Sequence, residues 1–174
     1  MNVAILGHSQ LREFKIEHLN LNDNVIDVKK FWKPGARLAT ILSENIFQDL
    51  VAFQPDVIII FLGGNDISRE SKPAKLIDDY KNLIEQLRLS VSLSVGIFAL
   101  EIEKRVPRNE RYIDAESYRK FRRSVNRRLQ SVIYFQWNCT LFVNLFLIYN
   151  LNLCIKNNMI LYPYSSSKPS SLLI

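Results

Sequence analysis

The chain has 174 residues, is 48% hydrophobic and carries a formal net charge of +6. That length and apolar content favour one globular domain and exclude a chain too small to bury a core. The charge is misleading as an average: all 17 acids lie at or before Glu116, while residues 119–128 hold Arg119, Lys120, Arg122, Arg123, Arg127 and Arg128 with no acid between them.

The N-terminus opens directly on an apolar run, residues 2–6 (NVAIL), which reads as a first strand. That opening argues against a secretory leader and leaves a cytoplasmic setting as the default. Gly7-His8-Ser9 follows at the strand-to-loop junction. Residues 24–31 alternate and read as a second strand. From Arg37 to Phe53 the spacing of Leu38, Ile41, Leu42, Ile46, Leu50 and Phe53 predicts a helix, which Pro55 ends. Residues 56–62 form a third strand, β-branched and apolar enough to be central. Gly63-Gly64-Asn65-Asp66 comes straight after it.

Pro73 sits near a helix start, where its missing N–H costs nothing. Leu76, Ile77, Tyr80, Leu83, Ile84 and Leu87 then share one face. Residues 95–100 read as a fourth strand and 101–113 as a polar loop containing Pro107. Residues 114–130 predict a further helix with Tyr118, Phe121, Val125 and Leu129 as its apolar stripe. Residues 132–136 are placed as a fifth strand. The alternation of strand and helix argues for an α/β fold with a mainly parallel sheet of four or five strands. The domain is expected over 1–136, with 137–174 an atypical, acid-free tail. Cys139 and Cys154 both lie in that tail, and two thiols without a framework give no evidence for disulfides.

Both short motifs fall at the carboxyl ends of expected strands, where open α/β sheets bind ligands. Ser9 offers a hydroxyl nucleophile there, or it caps the following turn. Gly35, in KPGAR, offers a backbone N–H as an oxyanion donor, or it forms an ordinary Pro-Gly turn. Asn65 offers a side-chain amide as a second donor, or it serves the turn. Gly63, Gly64 and Asp66 are expected to support that loop. His8 is expected at the surface or behind the site, because adjacent residues on an extended backbone point to opposite faces.

Taken together, strand-Gly-x-Ser, a glycine at a helix entry, and strand-Gly-x-Asn-Asp resemble the SGNH, or GDSL-like, hydrolase superfamily. The resemblance implies a flavodoxin-like three-layer α/β/α fold and hydrolysis of a carboxylic ester through an acyl-serine intermediate. It casts Ser9 as nucleophile and Ser9 N–H, Gly35 N–H and the Asn65 amide as the oxyanion hole. The substrate would be a small ester, and no metal or organic cofactor is implied. Two positions depart from the pattern. The residue before the serine is His8, where the family usually has Asp. The family's late Asp-x-x-His block is absent, since the chain's histidines are His8 and His18 and no acid follows Glu116. His18 falls in a polar stretch and reads as solvated. The chain is therefore expected to be truncated before that block and inactive or nearly so.

Two other classes compete. The basic run at 119–128 offers contacts to nucleic-acid phosphates, or it is a solvated face around an apolar stripe. No aromatic interleaving suits base stacking. Residues 139–155 are uncharged and reach the short limit for a membrane anchor. Asn144, Asn150 and Asn152 argue against that, because amides in a bilayer need partners.

Overall fold

The computed structural model describes residues 1–12, 14, 26–104 and 113–135, the last six as backbone alone. His18, the 107 loop and the tail with its two cysteines and the 139–155 run lie outside the described residues.

Four strands make one parallel sheet: β1 (Asn2–His8), β2 (Asp27–Lys33), β3 (Val57–Phe61) and β4 (Gly96–Ala99), in the order β2-β1-β3-β4. The run Val57-Ile58-Ile59-Ile60-Phe61 is buried at every position. An inner parallel strand covered on both faces requires that, and β-branched side chains suit it. β1 pairs with β2 on one side and β3 on the other, so Gly7 faces both Trp32 and Phe61 in register. The chain order reverses at β1.

The period of two divides the strands between two cores. Ala4, Leu6, Phe31, Ile58, Ile60 and Ile97 join the core that holds the helices. Val3, Ile5, Val57, Ile59 and Phe61 pack on the other face with Leu11 and, at its margin, Phe14. Three helices share the first core: α1 (Asn45–Phe53), α2 (Pro73–Ser90) and α3 (Ala115–Phe135). Among the described residues all three helices pack on this face, and Leu11 of the Ser9–Arg12 turn lies on the other. All six predicted core positions of α2 are buried, and Pro73 occupies its first turn. No described helix is long and apolar enough to cross a membrane.

Three expectations are corrected. β1 reaches His8 and β2 runs to Lys33, both further than the sequence suggested. Residues 37–53 are not one helix. A 3-10 turn spans Ile41–Ser43, Glu44 is extended (φ −92°, ψ 147°), and α1 starts only at Asn45. The break is where Glu44 leaves the helical region, while Leu38 N–H donates to the Asp66 carboxylate at 3.0 Å and the Ser43 hydroxyl donates to Thr40 O at 2.8 Å. Leu38, Ile41 and Leu50 are buried regardless. Residues 132–135 continue α3 instead of forming a fifth strand. No Gly or Pro interrupts 115–135, so helix propagation carries through the β-branched pair Val132-Ile133.

Asp114 caps α3, its Oδ1 accepting the Ser117 N–H at 2.8 Å. Hydrogen bonding from Ser117, its hydroxyl first and then this N–H, holds the Asp114 carboxyl below its ordinary value. A carboxyl that ionises more readily in the folded chain stabilises it at neutral pH, and that contribution is lost as pH falls through the folded value. Urea midpoints measured from neutral pH down through about pH 3 should therefore fall for the wild type. Asp114→Ala should start lower at neutral pH and fall less. An acid limb of unchanged depth in the variant would contradict the assignment.

Candidate active site

The carboxyl ends of β1 and β3 adjoin at the point where strand order reverses, the place where flavodoxin-like sheets open a crevice. Ser9 is the first residue beyond β1 and is exposed. It begins a short 3-10 turn, Ser9–Arg12, anchored by buried Leu11. Gly7 lies within β1 and makes no turn. Its missing side chain makes room for Leu11, whose Cδ1 would sit 2.5 Å from a Cβ there.

His8 is not at the surface. It is 4% exposed, with its ring 4.8 Å from that of Phe61, and its Nδ1 accepts the Gln10 N–H at 3.4 Å. The strand extends through position 8, so the side chain turns inward where a loop was expected.

Gly35 sits in the turn after β2, exposed, with φ +72°. Ala36 N–H closes this turn onto Lys33 O at 3.2 Å. Gly35 therefore precedes a 3-10 turn and stands well ahead of α1, so no helix dipole strengthens its N–H as a helix entry would. The loop after β3 begins at Gly63, whose φ of +96° strongly favours glycine. A Cβ at Gly63 would also fall 2.6 Å from the Tyr80 hydroxyl and 2.9 Å from Ile102 Cδ1. Tyr80 is fully buried, and its hydroxyl donates to Leu62 O at 2.8 Å. Burial, with the Asp66 carboxylate nearby, pushes its phenol well above the ordinary value.

Two side chains then tie this loop to the one after β2. Asn65 Nδ2 donates to Ala36 O at 3.0 Å, and Asp66 Oδ1 accepts the Leu38 N–H at 3.0 Å. β2 and β3 are not neighbours, since β1 lies between them. At about 4.8 Å per strand, no ladder can join their loops. The bridge therefore straddles the end of β1, from which Ser9 emerges. Asp66 is held in turn by its N–H to Gly63 O at 3.1 Å and by Ser71 Oγ, which donates to Asp66 O at 2.6 Å.

Sequence reasoning missed the fourth loop, Glu101–Lys104. Gln10 Nε2 donates to Glu103 Oε2 at 2.6 Å, which brings this loop beside the Ser9 turn. Its anchors are Arg122 and Asn126 on α3. Arg122 was grouped with the solvated basic face, yet it is 8% exposed and donates to Ile102 O at 3.1 Å. Position 122 lies four after Tyr118 and three before Val125, so helical spacing already placed it on the buried stripe. Arg119 and Lys120 pair with Glu116. Among the described residues no group of three or more His, Cys, Asp or Glu side chains is arranged to hold a metal ion.

The sequence profile of the GDSL-like lipase/acylhydrolase family matches residues 17–142. The chain belongs to this family. The matched stretch contains Gly35 and Asn65 and starts beyond Ser9. No curated protein sequence matches the chain. Similar folds occur in an acetyl xylan esterase (17% identity, 90% of this chain and 85% of that one, TM-score 0.55). They also occur in a lipase/acylhydrolase from Enterococcus faecalis (13%, 77% and 73%, 0.56). A lipolytic G-D-S-L family protein from Veillonella parvula is a third (14%, 77% and 73%, 0.58). At these identities the likeness shows the fold: the described parallel sheet and helices are those of a GDSL-like hydrolase.

In this GDSL-like domain the bridge is testable without any activity. Asp66→Ala removes the acceptor for Leu38 N–H and should lower stability by about 1.5–3 kcal/mol, read as a lower urea midpoint at unchanged m-value. Asp66→Asn keeps an oxygen in place and should recover most of the loss. Equal losses in the two variants would assign the effect to charge instead.

Proposed function

We propose that this chain carries the acyl-binding and nucleophile half of a GDSL-type serine esterase site. Ser9 is the nucleophile, and Ser9 N–H, Gly35 N–H and the Asn65 amide are the donors that stabilise the tetrahedral oxyanion. The observation that supports the reading best is the bond from Asn65 Nδ2 to Ala36 O. It draws two of the three donor-bearing loops together across the strand end that presents the third. A primary amide carries two N–H groups. One is spent on Ala36 O, and the reading assigns the other to the oxyanion. Donors fixed before reaction cost no reorganisation when charge develops. Gly63, Gly64 and Asp66 hold this loop in shape, and the substrate is a small carboxylic ester.

Proton transfer is the missing half. Serine's hydroxyl is weakly nucleophilic without an adjacent base. His8 commits Nδ1 to the backbone of Gln10, His18 is the chain's other histidine, and no acid follows Glu116. Losing the base of a triad costs about a millionfold in turnover, while preorganised donors retain roughly a thousandfold over water. The proposed state is therefore a formed oxyanion site with little or no turnover. The basic run is not one continuous exposed patch: Arg122 is buried and Arg119 and Lys120 pair with Glu116, while Arg123, Arg127 and Arg128 stay exposed.

Two assays separate the halves. Hydrolysis of p-nitrophenyl acetate by the chain should match that of Ser9→Ala. Turnover that disappears with Ser9 would refute inactivity. With imidazole supplied in solution as the base that takes the hydroxyl proton, a small alkyl fluorophosphonate should nonetheless form a slow, stoichiometric adduct on Ser9, located by peptide mass mapping. Asn65→Ala should slow that labelling about 100- to 1000-fold. Labelling at the same rate in the variant would remove Asn65 from the oxyanion hole.

A further inference from the structure

Ile102 lies just past β4, and its two backbone groups are both satisfied by α3. Its N–H donates to Asn126 Oδ1 at 3.0 Å, and its O accepts from Asn126 Nδ2 at 3.1 Å and from Arg122 Nη1 at 3.1 Å. A side-chain amide has the same donor–acceptor pair as a peptide group, so Asn126 does for Ile102 what a neighbouring strand would do. Asn126 is itself buried, where an amide is costly unless bonded. The segment so held reaches the Ser9 mouth at two places. The Ile102 side chain packs on Gly63, and Glu103 Oε2 accepts Gln10 Nε2 at 2.6 Å. The Tyr118 hydroxyl donates to Glu103 O at 3.3 Å, a second tether from α3.

We infer that Glu101–Lys104 is the fourth wall of the Ser9 mouth and that Asn126 is the positioning residue that sets it, limiting the size of acyl group admitted. The inference rests on Ser9 being the nucleophile, as proposed above. Loosening Ile102 moves the wall at Gly63 and releases Gln10 beside Ser9 together, which widens the mouth.

The full chain, Asn126→Ala and Glu103→Gln are compared in two ways. Amide exchange at Ile102 should accelerate about 10- to 100-fold in Asn126→Ala and stay unchanged in Glu103→Gln. The side-chain amide resonances of Gln10 should shift in both variants. Labelling of Ser9 by octyl relative to methyl fluorophosphonate should then rise about tenfold or more in Asn126→Ala. A general loss of stability lowers both rates together and leaves the ratio unchanged. Faster exchange at Ile102 with an unmoved Gln10 signal and an unchanged ratio would reduce Asn126 to a structural role and overturn the inference. Should the wild type take up neither probe with imidazole supplied as the base, the nucleophile assignment fails, and an unmoved Gln10 signal in Asn126→Ala would overturn the positioning role separately. If Asn126→Ala does not fold, the Gln10 shift and the labelling ratio of Glu103→Gln decide the wall by themselves.

Discussion

Asn65 and Asp66 join two loops that no strand ladder can join. The bonds to Ala36 O and from Leu38 N–H cross the end of β1, because the sheet order puts β1 between β2 and β3. Hydrogen bonds of this kind are worth about 1–3 kcal/mol each when one partner is charged or leaves a buried group unsatisfied. A domain of this size has only about 5–15 kcal/mol of net stability, so two such bonds are a large share. Their geometric effect is larger still. They convert two independent loops, each free to drift on its own strand, into one rim around the residue that leaves β1. Remove the bridge and the sheet survives, but the mouth loses its fixed width.

Local patterning decides which parts of the fold can be read from the amino-acid sequence. β3 and α2 are legible because one local pattern decides them: five consecutive buried apolar residues in the first case, a helical stripe behind Pro73 in the second. Leu38 to Phe53 carries an equally good helical stripe, yet α1 starts only at Asn45, because the backbone turns extended at Glu44. A pattern of apolar positions records which residues are buried and not where the backbone leaves the helical region. Residues 132–135 fail in the opposite sense. Their β-branched composition suits a strand, but they follow an uninterrupted helix, and continuing a helix is easier than starting a new element.

Polar residues were harder to place than apolar ones, for a related reason. His8 and Arg122 are both buried, and both carry a group that sequence reading assigns to solvent. Arg122 earns its place through a single backbone oxygen, Ile102 O, that nothing local identifies. His8 turns inward because its strand runs two residues further than its apolar run. Of the candidate site, what was legible was the identity of the loops, since Gly63 and Asn65 follow an unmistakable strand. What was not legible was Glu101–Lys104, a polar segment whose conformation depends on side chains from α3.

The oxyanion donors and the proton acceptor of an acyl-transfer site differ in what holds them. The proposed donors all come from residues 9–65, on loops after the first three strands, and the rim they form is stabilised by Asp66, Tyr80 and Leu38 irrespective of any base. Nothing in that set of contacts needs a histidine to complete it. A rim built this way persists when proton transfer is absent, because its hydrogen bonds contribute to folding and not only to turnover. Asn65 closes the bridge with its side-chain amide, which fixes the loop after β3 against the loop after β2. The shape of the mouth is thus set by how the loops after β2 and β3 reach across β1.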